Sequence, residues 1–212
     1  MRRFVRIFTQ RILLKTALNC VLRIKIFGKE NLQKINAKKP LIIVANHASH
    51  FDAPLIVTNL PQKLGTRIAT AAAADYFFKN IKSAKLTRIF FNTYPVDRDG
   101  SKINRGLSGE IIAAKIPMLI FPEGTRSRNG ELGKFHLGAA RLTIENKAQI
   151  LPISLSGNFE AWPASDKFWH KGRPKVKVII HSPISPNKNE TETQLTSRVK
   201  NIIAADLCRS DN

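Results

Sequence analysis

The chain has 212 residues, 43% of them hydrophobic, and 35 Lys and Arg against 15 Asp and Glu give it a formal charge of +20. Length and apolar content suit one globular domain with a substantial core, while the charge predicts attraction to polyanions: nucleic acid, anionic lipid, phosphorylated substrates or an acidic carrier protein. No apolar run reaches the roughly 20 residues of a membrane span, the N-terminal runs are too interrupted by Arg and Lys for a cleavable signal, and Cys20 and Cys208 match no metal-ligand spacing, which points to a reducing compartment.

Residues 1–28 carry Arg2, Arg3, Arg6, Arg11, Lys15, Arg23 and Lys25 among Phe4, Val5, Ile7, Phe8, Ile12, Leu13, Leu14, Leu18, Val21 and Leu22. This reads as a basic amphipathic helix ending at Gly28. It suits an anionic membrane surface, the alternative being a basic helix packed on the domain with snorkelling ends, since Arg11 and Lys15 fall on the side of Phe4, Leu18 and Leu22. The run Leu41 to Ala45 reads as a buried strand, and a polar turn with Asn46, His47, Ser49 and Asp52 follows it. His47 and Asp52 are five positions apart, about 140° on a continuous helix. They meet only if His47 sits in the turn and Asp52 in the first turn of a helix over 52–59. There Asp52 is either an N-cap, with Ser49 completing a capping box, or the partner that orients His47 as a general base. His50 reads as a surface or packing residue.

A strand is expected over 67–71, a short helix over 75–79 and a strand or strand pair over 87–96, which delivers Asp97 and Arg98 to its end. Arg98 is a candidate phosphate clamp, or else an ion-pair partner of Asp97 or Asp99. Residues 101–115 have a helical period with Ser101 as cap, and a strand over 118–121 runs into Pro122, Glu123, Gly124, Thr125, Arg126 and Ser127. Gly124 allows close backbone approach to a ligand, Thr125 offers a hydroxyl and Arg126 a fork for phosphate. A helix over 135–144, a strand over 150–155 containing Pro152, a turn at 156–158, a surface excursion over 160–171, an edge strand over 176–180 and a closing helix over 192–207 complete the chain. The expected fold is α/β: a single domain with a mostly parallel or mixed central sheet flanked by helices, after the N-terminal basic helix.

Two strand-end clusters, Asn46-His47-Ala48-Ser49-His50-Phe51-Asp52 and Phe121-Pro122-Glu123-Gly124-Thr125-Arg126-Ser127, resemble the glycerolipid acyltransferase family that includes 1-acylglycerol-3-phosphate acyltransferases. Tyr94-Pro95-Val96-Asp97-Arg98 is similar to that family's phosphate-contact block, with Asn92 where relatives often have Gly, and Leu151-Pro152-Ile153-Ser154 to its fourth strand. The resemblance implies that His47 takes the proton from an acceptor hydroxyl attacking an acyl thioester, that Asp52 orients the imidazole, and that Arg98, Glu123, Gly124, Thr125 and Arg126 hold the acceptor's phosphate and glycerol, Glu123 serving a hydroxyl or a neighbouring Arg. It implies an acyl-CoA or acyl carrier protein co-substrate, no other cofactor and no metal, and a lysophospholipid acceptor. The domain then divides as 1–28 for docking and 29–212 for acyl transfer, peripheral on the cytoplasmic face of the inner or plasma membrane. A nucleic-acid module is disfavoured because the basic residues are spread along the chain, and a hydrolase because no G-x-S-x-G elbow is present.

Overall fold

The computed structural model describes residues 2–73, 93–96 and 105–207. Its described strands are β1 (Arg23–Phe27), β2 (Leu41–Ala45), β3 (Ala69–Ala73), β4 (Thr93–Val96), β5 (Met118–Ile120), β6 (Gln149–Ser156) and β7 (Lys175–Ile180). They form one sheet in the order β1-β7-β6-β2-β5-β3-β4. β2, apolar and buried along its whole length, is therefore the central strand. Its Ile42 pairs with Met118 on one side and Ile150 on the other. Every pairing is parallel except β6 with β7, so the sheet is mixed.

Side chains alternate between two cores, as the period of a strand requires. Ile43, Leu151 and Val178 face a layer built from α2 (Lys15–Val21) and α3 (Asp52–Asn59), through Leu18, Leu55 and Ile56. Ile42, Val44, Met118 and Ile150 face the other layer, where α6 (Gly138–Glu145) and α8 (Glu192–Leu207) contribute Ala139, Ala140, Leu195, Val199 and Ile203. Between these elements lie α4 (Gln62–Gly65), α5 (Arg105–Ala113) and the single turn α7 (Asn158–Ala161).

Two expectations change. The N-terminal helical run comprises α1 (Arg2–Phe8), a π-helical stretch (Thr9–Leu14) and α2, and it stops at Val21 instead of Gly28. Leu22 turns extended, and Arg23–Phe27 becomes a strand with alternating exposure. That strand covers β7 in parallel register, Arg23 opposite Lys175, so β7 is internal and β1 is the edge. Gly28 ends β1 with φ +74°, where a Cβ would lie 2.0 Å from the Ile180 carbonyl oxygen. The expected helix over 75–79, most of the strand over 87–96 and the Ser101 cap lie outside the described residues.

Pro152 sits in an internal strand, normally a poor place for proline. Its carbonyl accepts from the His181 backbone N–H, just past the end of β7. The missing N–H points to the same side, outside the β6–β7 ladder, which begins at Ile153.

Candidate active site

The central strand ends at Ala45, and the next residues are fixed by bonds to the ends of its two neighbouring strands, β6 and β5. Asn46 is buried and closes a two-bond ring with Leu155 of β6: its Nδ2 donates to the Leu155 carbonyl at 2.9 Å and its Oδ1 accepts the Leu155 N–H at 2.8 Å. The His47 N–H donates to Glu123 Oε1 at 2.7 Å, and the His47 carbonyl accepts the Ser127 N–H at 2.7 Å. The turn after β2 is thus clamped to the turn after β5.

Within it, His47 Nδ1 lies 2.7 Å from Asp52 Oδ2. A carboxylate only accepts, so Nδ1 carries the proton and Nε2 presents its lone pair. No described residue bonds to Nε2. The imidazole stacks on Phe121 with ring centroids 4.1 Å apart, which fixes its plane. Asp52 is fully buried. Its Oδ2 also accepts the N–H groups of Ala48 and Ser49 at 2.7 and 2.8 Å, and its Oδ1 accepts Asn158 Nδ2 at 2.7 Å. Four donors compensate a carboxylate that burial would otherwise make costly. Asp52 is not the N-cap: it is the first residue of α3, and Phe51 holds the N-cap position without a side-chain cap bond. The Asp52 carboxylate reaches back to the Ser49 N–H, the Ser49 Oγ accepts the Phe51 N–H at 3.2 Å, and the same carboxylate oxygen binds His47.

The sequence expectation for Glu123 did not include the backbone: its carboxylate accepts the His47 N–H on one oxygen at 2.7 Å and the Gly133 N–H on the other at 2.9 Å. Burial pushes its carboxyl up, against the pull of those two N–H groups. Gly124 takes φ +70°, where a side chain is strained, and Thr125 beside it is exposed. The Arg126 guanidinium lies against His50, Nη1 2.5 Å from Nδ1 and 2.8 Å from Nε2. Burial, and then that guanidinium, hold the His50 imidazole below its ordinary value. Arg98 lies outside the described residues. Among the described residues no group of His, Cys, Asp and Glu can hold a metal ion.

Sequence reasoning missed Asn158, buried at the end of β6 and the partner of Asp52 Oδ1. Ser156-Gly157-Asn158 read only as a turn. The available signal was its position after an apolar strand, the same context that marked His47 and Glu123.

A family profile described as Acyltransferase matches residues 23–156, from the start of β1 to the end of β6. The chain belongs to the acyltransferase family. It is 27% identical over 187 residues to a 1-acyl-sn-glycerol-3-phosphate acyltransferase of Chlamydomonas reinhardtii, covering 87% of this chain and 53% of that protein. It is 26% identical over 181 residues to a probable 1-acyl-sn-glycerol-3-phosphate acyltransferase of Mycoplasma genitalium (81% and 67%), and 26% over 161 residues to the human beta enzyme of that name (75% and 56%). The chain thus spans about half the length of the algal and human relatives. The crystal structure of the 1-acyl-sn-glycerophosphate acyltransferase PlsC from Thermotoga maritima superposes with a TM-score of 0.73 at 23% identity, covering 93% of this chain and 77% of that one, and so shares the fold.

Proposed function

We propose that this acyltransferase moves an acyl group from a thioester to the free hydroxyl of 1-acylglycerol-3-phosphate. The observation that carries the reading is the His47–Asp52 pair, with Nδ1 bound to a buried carboxylate and Nε2 unbonded by any described residue. Nε2 takes the proton of the acceptor hydroxyl as its oxygen attacks the thioester carbonyl. The C–O bond forms, the C–S bond breaks, and the thiolate leaves with the proton from the imidazolium, which Asp52 has stabilised. The acceptor supplies the nucleophile, so no acyl-enzyme is needed. Arg126, Thr125 and the Gly124 backbone, together with Arg98, are the proposed hold on the acceptor's phosphate, and guanidinium forks match phosphate oxygens. The chain's charge of +20 favours either donor, acyl-CoA through its phosphates or an acyl carrier protein through an acidic surface.

The acceptor is a bilayer lipid, and no helix among the described residues is long and apolar enough to cross a membrane. Docking through the N-terminal helical run, at an anionic cytoplasmic membrane face, is part of the same reading. What supports it is the orientation of that run. Arg6 and Arg11 turn inward, Arg11 donating to the Thr58 and Leu60 carbonyls at 2.8 and 2.7 Å and Arg6 to the Thr66 carbonyl at 3.3 Å, while Val5, Phe8, Ile12 and Leu13 are exposed. A helical run that turns two half-buried arginines inward and exposes Val5, Phe8, Ile12 and Leu13 suits a bilayer better than water.

Purified protein given oleoyl-CoA or oleoyl-acyl carrier protein with lysophosphatidate in mixed micelles should release thiol and form phosphatidate in equal amounts. Thiol release without lipid product would mean hydrolysis, and no release from either donor would reject the reading.

A further inference from the structure

Beyond α7 the chain makes an excursion, Trp162 to Pro174; the Trp162 carbonyl accepts from Ser49 and His50 of the turn after β2, while the far end, residues 167–173, takes no part in the catalytic arrangement. Residues 167–173 read Lys-Phe-Trp-His-Lys-Gly-Arg and are all exposed, Phe168 at 65% and Trp169 at 44%. Two neighbouring aromatics in water are unusual unless something covers them.

Their exposure is held in place. Both ring nitrogens of His170 are engaged, Nδ1 by the Glu160 carbonyl and Nε2 by Asp166 Oδ2, each at 2.7 Å. Trp162 Nε1 donates to the Asp166 carbonyl at 3.0 Å, and the His170 N–H to the Ala161 carbonyl at 2.9 Å. The Asp166 carboxylate and the Glu160 carbonyl hold the His170 imidazole above its ordinary value, which favours its cation beside Lys167 and Lys171.

The loop also has a defined place. Arg173 donates to the Asn19 carbonyl at 2.7 Å, in the last turn of α2. Asn19 is about 9 Å along the helix axis from Leu13, the last of the exposed apolar residues of the N-terminal run. Trp162 packs against the core layer that α2 also covers, so loop and helix lie on the same side of the sheet. Inward from the loop, Trp169 meets Trp162 edge-on at 5.7 Å, and Trp162 meets His50 at 4.6 Å and Phe51 at 5.0 Å. This aromatic chain ends on the turn that carries His47 and Asp52.

We propose that residues 167–173 are a second membrane contact, which sets Phe168 and Trp169 into the headgroup region of an anionic bilayer beside the N-terminal helix and so brings the catalytic turn to the lipid surface. Charge complementarity chooses the occupant: Trp and Phe suit the interface, and Lys167, His170 and Lys171 around them suit its phosphates. The inference rests on the membrane reading above and adds to it a specific loop.

The test uses the full chain and vesicles of phosphatidylglycerol and phosphatidylcholine, with and without brominated acyl chains. Wild-type emission should be quenched by the brominated lipid, and Trp169→Phe should lose most of that quenching while still sedimenting with vesicles. Phe168→Ser with Trp169→Ser should weaken sedimentation by about tenfold at unchanged melting temperature. Neither readout needs turnover. Wild-type protein that does not sediment overturns both the membrane reading and the loop. Wild-type protein that sediments without quenching, or keeps its full quenching in Trp169→Phe, overturns the loop alone. Unchanged vesicle binding by the double variant, with loss of binding to an oligonucleotide, would assign the loop to nucleic acid instead.

Discussion

Asn158 Nδ2 donates to Asp52 Oδ1 at 2.7 Å, across 106 residues of sequence, and both side chains are buried. The other oxygen of the same carboxylate carries His47 and two backbone N–H groups. Asn158 therefore fixes the rotation of the carboxylate that holds His47. Asn158→Ala should lower kcat about tenfold with little change in KM, and lower stability by roughly 1–3 kcal/mol, the cost of leaving a buried acceptor unpaired. Asn158→Asp should be worse, because it sets a second carboxylate against the first. Steady-state kinetics and urea unfolding of the two variants check both statements.

Glu123 tests the clamp between the two strand-end turns. Its two oxygens each accept a backbone N–H, from His47 and Gly133, so an amide in its place would turn its NH2 group toward one of those donors. Glu123→Gln should lose most turnover and melt at a lower temperature although it is nearly the same size. Acceptor KM is the discriminating readout: a fall in kcat at steady KM fits a positioning role, whereas a rise in KM alone would mean that Glu123 touches the acceptor.

The N-terminal run is tied to the fold by charge at a helix end. Arg11 closes the C-terminus of α3 through the Thr58 and Leu60 carbonyls, and burial lowers its guanidinium from the ordinary value. Arg11→Ala should cost about 1–3 kcal/mol in urea unfolding. A change within error would mean that the run is held by its other contacts, Leu18, Leu22 and the Arg6–Thr66 bond among them.

His181 gives a pH dependence. Its Nε2 is 2.7 Å from Ser154 Oγ and 3.2 Å from Asp206 Oδ2, and burial lowers its value from 6.5, with Asp206 opposing. Below 6.5 the unfolded chain takes up this proton before the folded one, so stability falls as pH drops through that window. His181→Gln should flatten the fall in melting temperature between neutral pH and about pH 5. An unchanged slope would assign the acid sensitivity to other groups.

Much of the centre of this fold was legible because its signals are local. Leu41–Ala45 is an uninterrupted apolar run with chemistry at its end, and Met118–Ile120 before Pro122 repeats the pattern on the neighbouring strand. Arg23–Phe27 was hidden because its alternating Arg-Ile-Lys-Ile-Phe continues the basic composition of the helix before it, and only pairing with β7 makes it a strand. Asn158 had one signal, its place after an apolar strand, and that was masked because an Asn after a Gly is ordinary turn chemistry until the sheet order sets β6 beside β2. The inward turn of Arg6 was likewise a tertiary fact, set by where α4 ends, whereas Arg11 already fell on the side of Leu18 and Leu22 in the helical period.

The most direct test of the account is the rate of phosphatidate formation by His47→Ala beside the wild type, with circular dichroism to verify the fold. His47 is partly exposed, and Asp52 keeps three of its donors without the imidazole, so the variant should fold. The expected loss is about 10²- to 10⁴-fold in kcat, the usual contribution of a positioned general base. A folded His47→Ala protein that makes phosphatidate at the wild-type rate would contradict it.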